Sequence, residues 1–194
     1  FQDKYQGMPK DGYTKLFERM LDHENIDIEL SKDAKEDLTF DFENHKIYYL
    51  NQEFKGKIIF TGAIDEFFDN RLGQLPYRSL RFDFEHYPQD YYQSKGVVNY
   101  TVSEDYTRIT EFKYLTGQLC QGTTIIKEYP EVYKDNRQVP YYAILNPENI
   151  MMHQKYVDLM KPFENFYLLG RLAQYKYYNI DGIVKAAIDL TKQF

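Results

Sequence analysis

The residues best placed to do chemistry in this sequence lie near its end. The stretch 171–178 holds Arg171, Tyr175, Lys176, Tyr177 and Tyr178, and an amphipathic helix begins directly after it. Ile180, Ile183, Val184, Ala187 and Ile188 fall on one face of that helix, Asn179 stands at its N-cap position, and Gly170 marks a turn after the apolar run FYLL. The first turn of a helix leaves N–H groups without intrahelical partners, and the helix dipole adds positive charge there. An arginine and several phenols beside such a helix start suit a phosphorylated, planar ligand. Arg78 in PYRSL and Arg108 in YTRI also sit beside strand or turn features. Their planar forks can donate two parallel hydrogen bonds to phosphate, although a strand arginine also commonly forms a cross-strand ion pair.

Other chemistries have less behind them. His23, His45, His86 and His153 are scattered without ligand spacing, and Cys120 is the only cysteine, so no metal site is expected. No G-x-S-x-G elbow is present, and Cys120 reads as an ordinary turn residue. Asp65, Glu66, Asp83, Glu85 and Glu111 are glycosidase candidates by residue type alone. Neither a G-x-G-x-x-G cradle nor a Walker loop occurs.

Composition sets the frame for these groups. The 194 residues are 43% hydrophobic and 28% charged, which predicts a packed core. A net charge of -6 argues against broad nucleic-acid binding, so an anionic ligand must be held by a local cluster. The 20 tyrosines and 14 phenylalanines, with no tryptophan, fit pleated sheet surfaces or a surface facing a sugar or nucleotide. One cysteine excludes an intrachain disulfide and fits a reducing compartment. With no signal pattern and no apolar run near the roughly 20 residues of a membrane span, a cytoplasmic location is expected. A chain starting at Phe1 is expected to be a piece of something larger or a trimmed one.

The elements that must position these groups follow from periodicity. The turn QGMPKDG precedes a predicted helix with Tyr13, Leu16, Phe17, Met20 and Leu21 on one face and Asp11 as its cap. Ile26, Ile28 and Leu30 alternate with charge as in a half-buried strand, and 31–43 reads as a charged connection. Strands are predicted over 45–50 and 57–61, then a short helix ending near Gly73. From Tyr77 four runs of period-two alternation follow, over 77–87, 96–102, 107–115 and 123–130, with VPYYAIL as an edge strand. A helix over Asn149–Met160, the buried strand FYLLG and the last helix complete the chain. The fold class is α+β / α/β: α/β pieces in the first and last thirds, with an antiparallel β-sheet domain inserted between them. The boundaries fall at 1–76, 77–147 and 148–194.

Seven blocks occur in order: KYQGMPKDGYTKLFERML, FTGAIDEFFDNRLGQLPYRSLRF, VVNYT, YTRITEFKYL, KEYP, PYYAI and GRLAQYKYYNIDGIVKAA. Together they resemble the C-terminal half of the bacterial UDP-galactopyranose mutases, over nearly the whole chain. The resemblance implies a flavoenzyme that interconverts UDP-galactopyranose and UDP-galactofuranose. It uses reduced FAD, with flavin N5 as nucleophile at the anomeric carbon and no net redox change. It implies the C-terminal part of an FAD-binding Rossmann-like domain whose N-terminal half is missing here. By the same resemblance Arg108 matches the catalytic, diphosphate-contacting arginine, Tyr5, Tyr142 and Tyr177 match phosphate-contacting tyrosines, and Asn99 matches a substrate-contacting asparagine. Arg171 matches a flavin-contacting arginine, and Ile180, Asp181, Gly182, Ile183 and Val184 match the helix start that faces the flavin. Thr61 and Gly62 are placed near the ribose or pyrophosphate of the cofactor.

The sequence departs from that pattern at Ala63, where many members have proline, and at Asn179, where many have aspartate. The Gly-rich dinucleotide fold, the helical uridine-binding domain with its mobile loop and a second phosphate-clamping arginine are absent from the 194 residues. The expectation is therefore that this piece alone neither holds FAD tightly nor turns over substrate. Its expected partners are UDP-galactose and its own N-terminal half, with a homodimer left open. Two rival readings remain: a non-catalytic nucleotide-sugar-binding module or split-gene partner of a separate FAD-binding chain, and an unrelated Tyr-rich carbohydrate-binding sheet.

Overall fold

Alternating inward and outward residues over 77–87, and a run rich in β-branched residues over 123–132, build the two longest strands of the chain, whose computed structural model describes residues 4–135 and 137–194. In chain order the elements are α1 (Gly12–Leu21), α2 (Ala34–Asp37), β1 (Leu38–Asp41), β2 (Lys46–Tyr49), β3 (Gln52–Glu53), β4 (Ile58–Phe60), α3 (Ile64–Phe67) and β5 (Tyr77–Tyr87). They continue with β6 (Val97–Asn99), β7 (Arg108–Glu111), α4 (Phe112–Thr116), β8 (Thr123–Val132), β9 (Tyr142–Ala143), α5 (Pro147–Met160), β10 (Phe166–Leu168) and α6 (Ile180–Thr191). The result is a mixed α/β chain with antiparallel sheets, divided into two compact units.

The first unit holds the chain up to Leu30 together with Leu80–Pro130. Its sheet runs β6-β7-β8-β5, with antiparallel β6–β7 and β7–β8 pairs. Ile109 and Ile125 are buried beside a buried carboxylate, Glu111. That carboxylate accepts the Tyr92 N–H (2.9 Å), the Gln93 N–H (3.0 Å) and the Thr123 hydroxyl (2.6 Å), and so pins the loop before β6 to the sheet. Burial pushes its pKa up, but the donors outweigh burial and hold it below the ordinary carboxylate range. The predicted strand over 107–115 stops at Glu111 and turns into α4. Thr110 and Glu111 are consecutively buried, which ends the alternation, and Gly117 closes the helix at φ 66°.

α1 forms where its apolar period predicts, yet Tyr13, Leu16, Phe17, Met20 and Leu21 all remain exposed. Asp11 occupies the N-cap position without capping; its carboxylate binds Arg19 at 2.9 Å instead. Ile26–Leu30, predicted as a strand, forms no regular element and joins no sheet, and Ile26, Ile28 and Leu30 are exposed. Alternation makes a backbone ready for pairing, but pairing also needs a neighbouring edge.

The second unit holds Ser31–Ser79 and Glu131–Phe194. The charged connection expected over 31–43 contains α2 and β1, because Leu38 and Phe40 turn inward and β1 pairs with β2. Phe40 meets Phe67, Phe68, Phe163 and Phe166 edge-on, with centroids 5.2–5.8 Å apart. Ile47, Ile64, Leu75, Tyr77, Tyr156 and Phe163 complete a single core. β4 and β10 pair in parallel, Ile58 opposite Phe166 and Phe60 opposite Leu168. β9 adds to the start of β5, with Tyr142 opposite Arg78, and is an edge strand as predicted. The predicted helix over 63–73 is shorter, ending at Phe67 and passing through turns to Gly73 at φ 113°. Among the described residues no helix is long and apolar enough to cross a membrane.

Candidate functional site

In the second unit the parallel pair sets the geometry. Because β4 and β10 run side by side, their carboxyl ends bring Thr61 and Gly170 together: a Cβ built on Gly170 would lie 3.8 Å from Thr61. Gly170 adopts φ 101°, a conformation that favours glycine, and turns the chain out of β10. At Gly62 a Cβ would lie 2.9 Å from the tip of the Phe60 ring, so a larger residue there would have to push that ring aside. The carboxyl edge of parallel strands is where open α/β sheets bind ligands.

The segment 170–178 then folds on itself, with Gln174 N–H on the Gly170 carbonyl (3.1 Å) and Lys176 N–H on the Arg171 carbonyl (3.0 Å). Arg171 donates from Nε to the Tyr178 carbonyl at 2.8 Å and again from Nη2. Its guanidinium lies 4.6 Å from the Tyr177 ring centroid and 5.5 Å from that of Tyr142. Those two rings stack with centroids 5.9 Å apart and planes 25° apart. Residues from β9 and from the last turn thus meet as one cation–aromatic stack. Arg78, across from Tyr142 in the ladder, is exposed on the same face.

α6 starts beside this stack. Asn179 has the extended N-cap backbone but caps with no side-chain bond, because its Oδ1 accepts the Tyr177 hydroxyl at 3.0 Å. The Ile183 N–H bonds the Asn179 carbonyl at 3.0 Å, while the amides of Ile180, Asp181 and Gly182 belong to the first turn, which has no intrahelical acceptor. Asp181 also lies in that turn. Val184 is exposed further along the helix. Tyr175, grouped with the ligand-facing phenols on sequence grounds, is instead 3% exposed and part of the core. Its neighbour Lys176 covers the Tyr178 ring at 5.0 Å.

In the first unit, registers Asn99↔Arg108 and Arg108↔Glu128 place three polar side chains in a row across β6, β7 and β8. Arg108 Nε donates to Asn99 Oδ1 at 3.1 Å, and its Nη1 lies 3.6 Å from Glu128 Oε1. Arg108 keeps 44% of its side chain exposed, against 14% for Glu128. The cross-strand ion pair and the exposed fork therefore coexist. Glu128 escaped the sequence reading because register between strands is not visible in either strand alone. Tyr5 lies in the irregular stretch before α1, exposed, with the Lys4 ammonium 5.2 Å from its ring centroid.

The acidic residues suspected by type are each committed elsewhere. Asp65 accepts from Leu75 and Tyr77, Glu66 from Tyr133, and Glu85 from Tyr87 and Lys127, while Asp83 pairs with Arg81. Glu111 is spent on its loop.

A family model described as UDP-galactopyranose mutase matches residues 1–177. A dTDP-fucopyranose mutase of Escherichia coli is 35% identical over the whole chain, which covers 50% of that protein. A probable UDP-galactopyranose mutase of Klebsiella pneumoniae is 33% identical over the whole chain, covering 47% of it. A UDP-galactopyranose mutase of Mycoplasma genitalium is 34% identical over 97% of the chain, covering 47% of it. The chain spans about half the length of the curated relatives it matches, and corresponds to their C-terminal halves. On this evidence of sequence the chain belongs to the UDP-galactopyranose mutase family.

Proposed function

We propose that the chain is the C-terminal portion of an FAD-dependent isomerase that interconverts UDP-galactopyranose and UDP-galactofuranose. The observation that carries this reading is the Tyr142–Arg171–Tyr177 stack at the carboxyl edge of a parallel strand pair, beside a helix start. Its donors and planar faces fit a flavin nucleotide. Thr61, Gly62, Arg171 and the α6 start from Ile180 to Val184 would hold that group, with Gly170 making the turn at φ 101°. Reduced FAD, when bound, supplies the nucleophile for the anomeric carbon.

The chain's own residues supply position and charge. Departure of UDP concentrates negative charge on the diphosphate, and fixed donors stabilise developing charge. Arg108 is assigned to that diphosphate, with Asn99 orienting its guanidinium and contacting substrate. Tyr5, Tyr142 and Tyr177 are assigned to phosphate oxygens. In the proposed division 1–76 and 148–194 serve the flavin side and 77–147 the substrate side.

The flavin side carries surface that a further segment would cover. Among the described residues β4 and β10 pair only with each other, and a two-stranded parallel sheet is not stable by itself. On α6, Ile180, Val184 and Ile188 are 60%, 50% and 52% exposed. The 194 residues alone are therefore proposed neither to retain FAD nor to turn over substrate, and a stoichiometric flavin spectrum from that piece would contradict this.

The relative named dTDP-fucopyranose mutase, as similar as those named for UDP-galactopyranose, favours a second reading in which the sugar nucleotide is dTDP-fucose. One experiment tests both. The complete gene product is purified, its visible spectrum is recorded, and UDP-galactofuranose and dTDP-fucofuranose are offered with and without dithionite. Conversion of one of them by the reduced protein is expected. Conversion of neither, or equal conversion by a flavin-free preparation, overturns the proposal.

A further inference from the structure

The turn that presents Arg171 and Tyr177 is irregular, so its shape must be imposed by what packs behind it. α5 lies behind it. Asn146 caps this helix through the Asn149 N–H (2.8 Å), and Asn149 Nδ2 donates to the Ile144 carbonyl (2.7 Å), one residue beyond β9 and its Tyr142. The Tyr156 hydroxyl fixes the middle of the helix, donating to the Gly73 carbonyl at 2.8 Å and accepting the Leu72 N–H at 3.1 Å. Between these anchors, His153 Nε2 lies 2.9 Å from the carbonyl oxygen of Ala173, a fully buried residue between Arg171 and Tyr177. A carbonyl only accepts, so Nε2 carries the proton. The imidazole also stacks on Tyr175, with centroids 5.7 Å apart and planes 21° apart. The Tyr175 hydroxyl in turn donates to the Pro76 carbonyl and accepts the Ile144 N–H at 3.3 Å.

We infer that His153 is a positioning residue: through its hydrogen bond to the Ala173 carbonyl it holds Arg171 and Tyr177 in register with Tyr142. Two neighbouring constraints make this bond effective. The turn is closed internally by the Gly170 and Arg171 carbonyls, so fixing Ala173 fixes the Arg171 backbone two residues away. Tyr142 is tied to the same helix through Ile144. Both halves of the stack thus refer to one rigid element. The titratable groups facing the imidazole are Asp65 and Tyr175. Burial lowers the His153 pKa, which keeps the ring neutral at pH 7 and its single donor committed to Ala173.

The role in ligand binding rests on the functional reading above, and the test separates the two. In the complete gene product labelled with 15N-arginine, the Arg171 Nε–H resonance is identified by its loss in Arg171→Lys. Two phenol faces and a carbonyl acceptor should shift that proton away from the solvent-exposed arginines. In His153→Ala and His153→Phe the shift should collapse, and UDP affinity by calorimetry should fall about fivefold to tenfold, the equivalent of one net hydrogen bond. His153→Gln, which keeps a donor but no ring, should restore the shift and most of the affinity, as loss of helix packing alone would not allow. An unmoved resonance in His153→Phe overturns the inference. A collapsed resonance with UDP affinity unchanged there and in Tyr177→Phe confirms the positioning and overturns the functional reading of the stack.

Discussion

Asp65 offers the sharpest test of how the second unit is held together. Its carboxylate is 1% exposed and accepts two buried donors, the Leu75 N–H at 2.8 Å and the Tyr77 hydroxyl at 3.3 Å. Asp65→Ala strands both donors. Each stranded buried group costs about 1–3 kcal/mol, and relief from burying a charge returns part of that, so a net loss of about 2–4 kcal/mol is expected. Asp65→Asn keeps an oxygen for Leu75 and offers its amide to the Tyr77 oxygen, so it should stay within about 1 kcal/mol of wild type. The pH dependence has a definite sign. Burial raises the Asp65 pKa above its ordinary 3.8, so the folded state binds more protons than the unfolded one between 3.8 and the raised value. Its contribution to stability is full below 3.8, declines as pH rises through that window, and is flat above it. Urea unfolding followed by circular dichroism across this range, with wild type minus Asp65→Asn taken at each pH, isolates the effect from other carboxylates. An Asp65→Asn loss as large as that of Asp65→Ala, or a difference that grows with pH, would refute the reasoning.

Glu111→Gln replaces an oxygen that accepts a donor with an amide that confronts one, so a stability loss of about 2–3 kcal/mol is expected, read as a lowered melting temperature, and an unchanged Tm contradicts it. Arg108→Ala in the complete enzyme should cost about 2–4 kcal/mol in kcat, as loss of a fixed donor to developing charge does, and wild-type kcat would count against its role. Tyr177→Phe should weaken substrate binding by about 0.5–1.5 kcal/mol, read as KM, and an unaltered KM would remove it from the site. Because the folded His153 pKa is depressed, its neutral form stabilises the fold above the ordinary value of 6.5 and that contribution is lost as pH falls below it. His153→Gln should flatten that acid-side slope in thermal melts.

Most elements were legible because their periods are local. The alternation over 77–87 and the helical spacing over 180–188 need no knowledge of the rest of the chain. Where the sequence misled, the deciding contact was distant. Ile26–Leu30 has a strand's alternation and no edge to join, and Tyr175 has a ligand-facing neighbourhood in sequence but is drawn into the core by Pro76 and Ile144. β1 was hidden among charges, although Leu38 and Phe40 alternate within it. In the candidate site, Arg108 and Asn99 were found through motif and meet in space, whereas Glu128 depends on ladder register and His153 on a carbonyl 20 residues further along. Such partners become visible only when strands are paired and helices docked.

The uncovered stripe of α1 has a practical consequence. Tyr13, Leu16, Phe17, Met20 and Leu21 present a continuous greasy band to solvent, and α6 presents another. A polypeptide of these 194 residues, produced by itself, should cluster with rising concentration and engage chaperones during expression. Its net charge of -6 would slow clustering at low ionic strength, and salt would remove that protection. Handling of the isolated piece should therefore grow worse, not better, in the high-salt buffers often used to keep proteins dispersed.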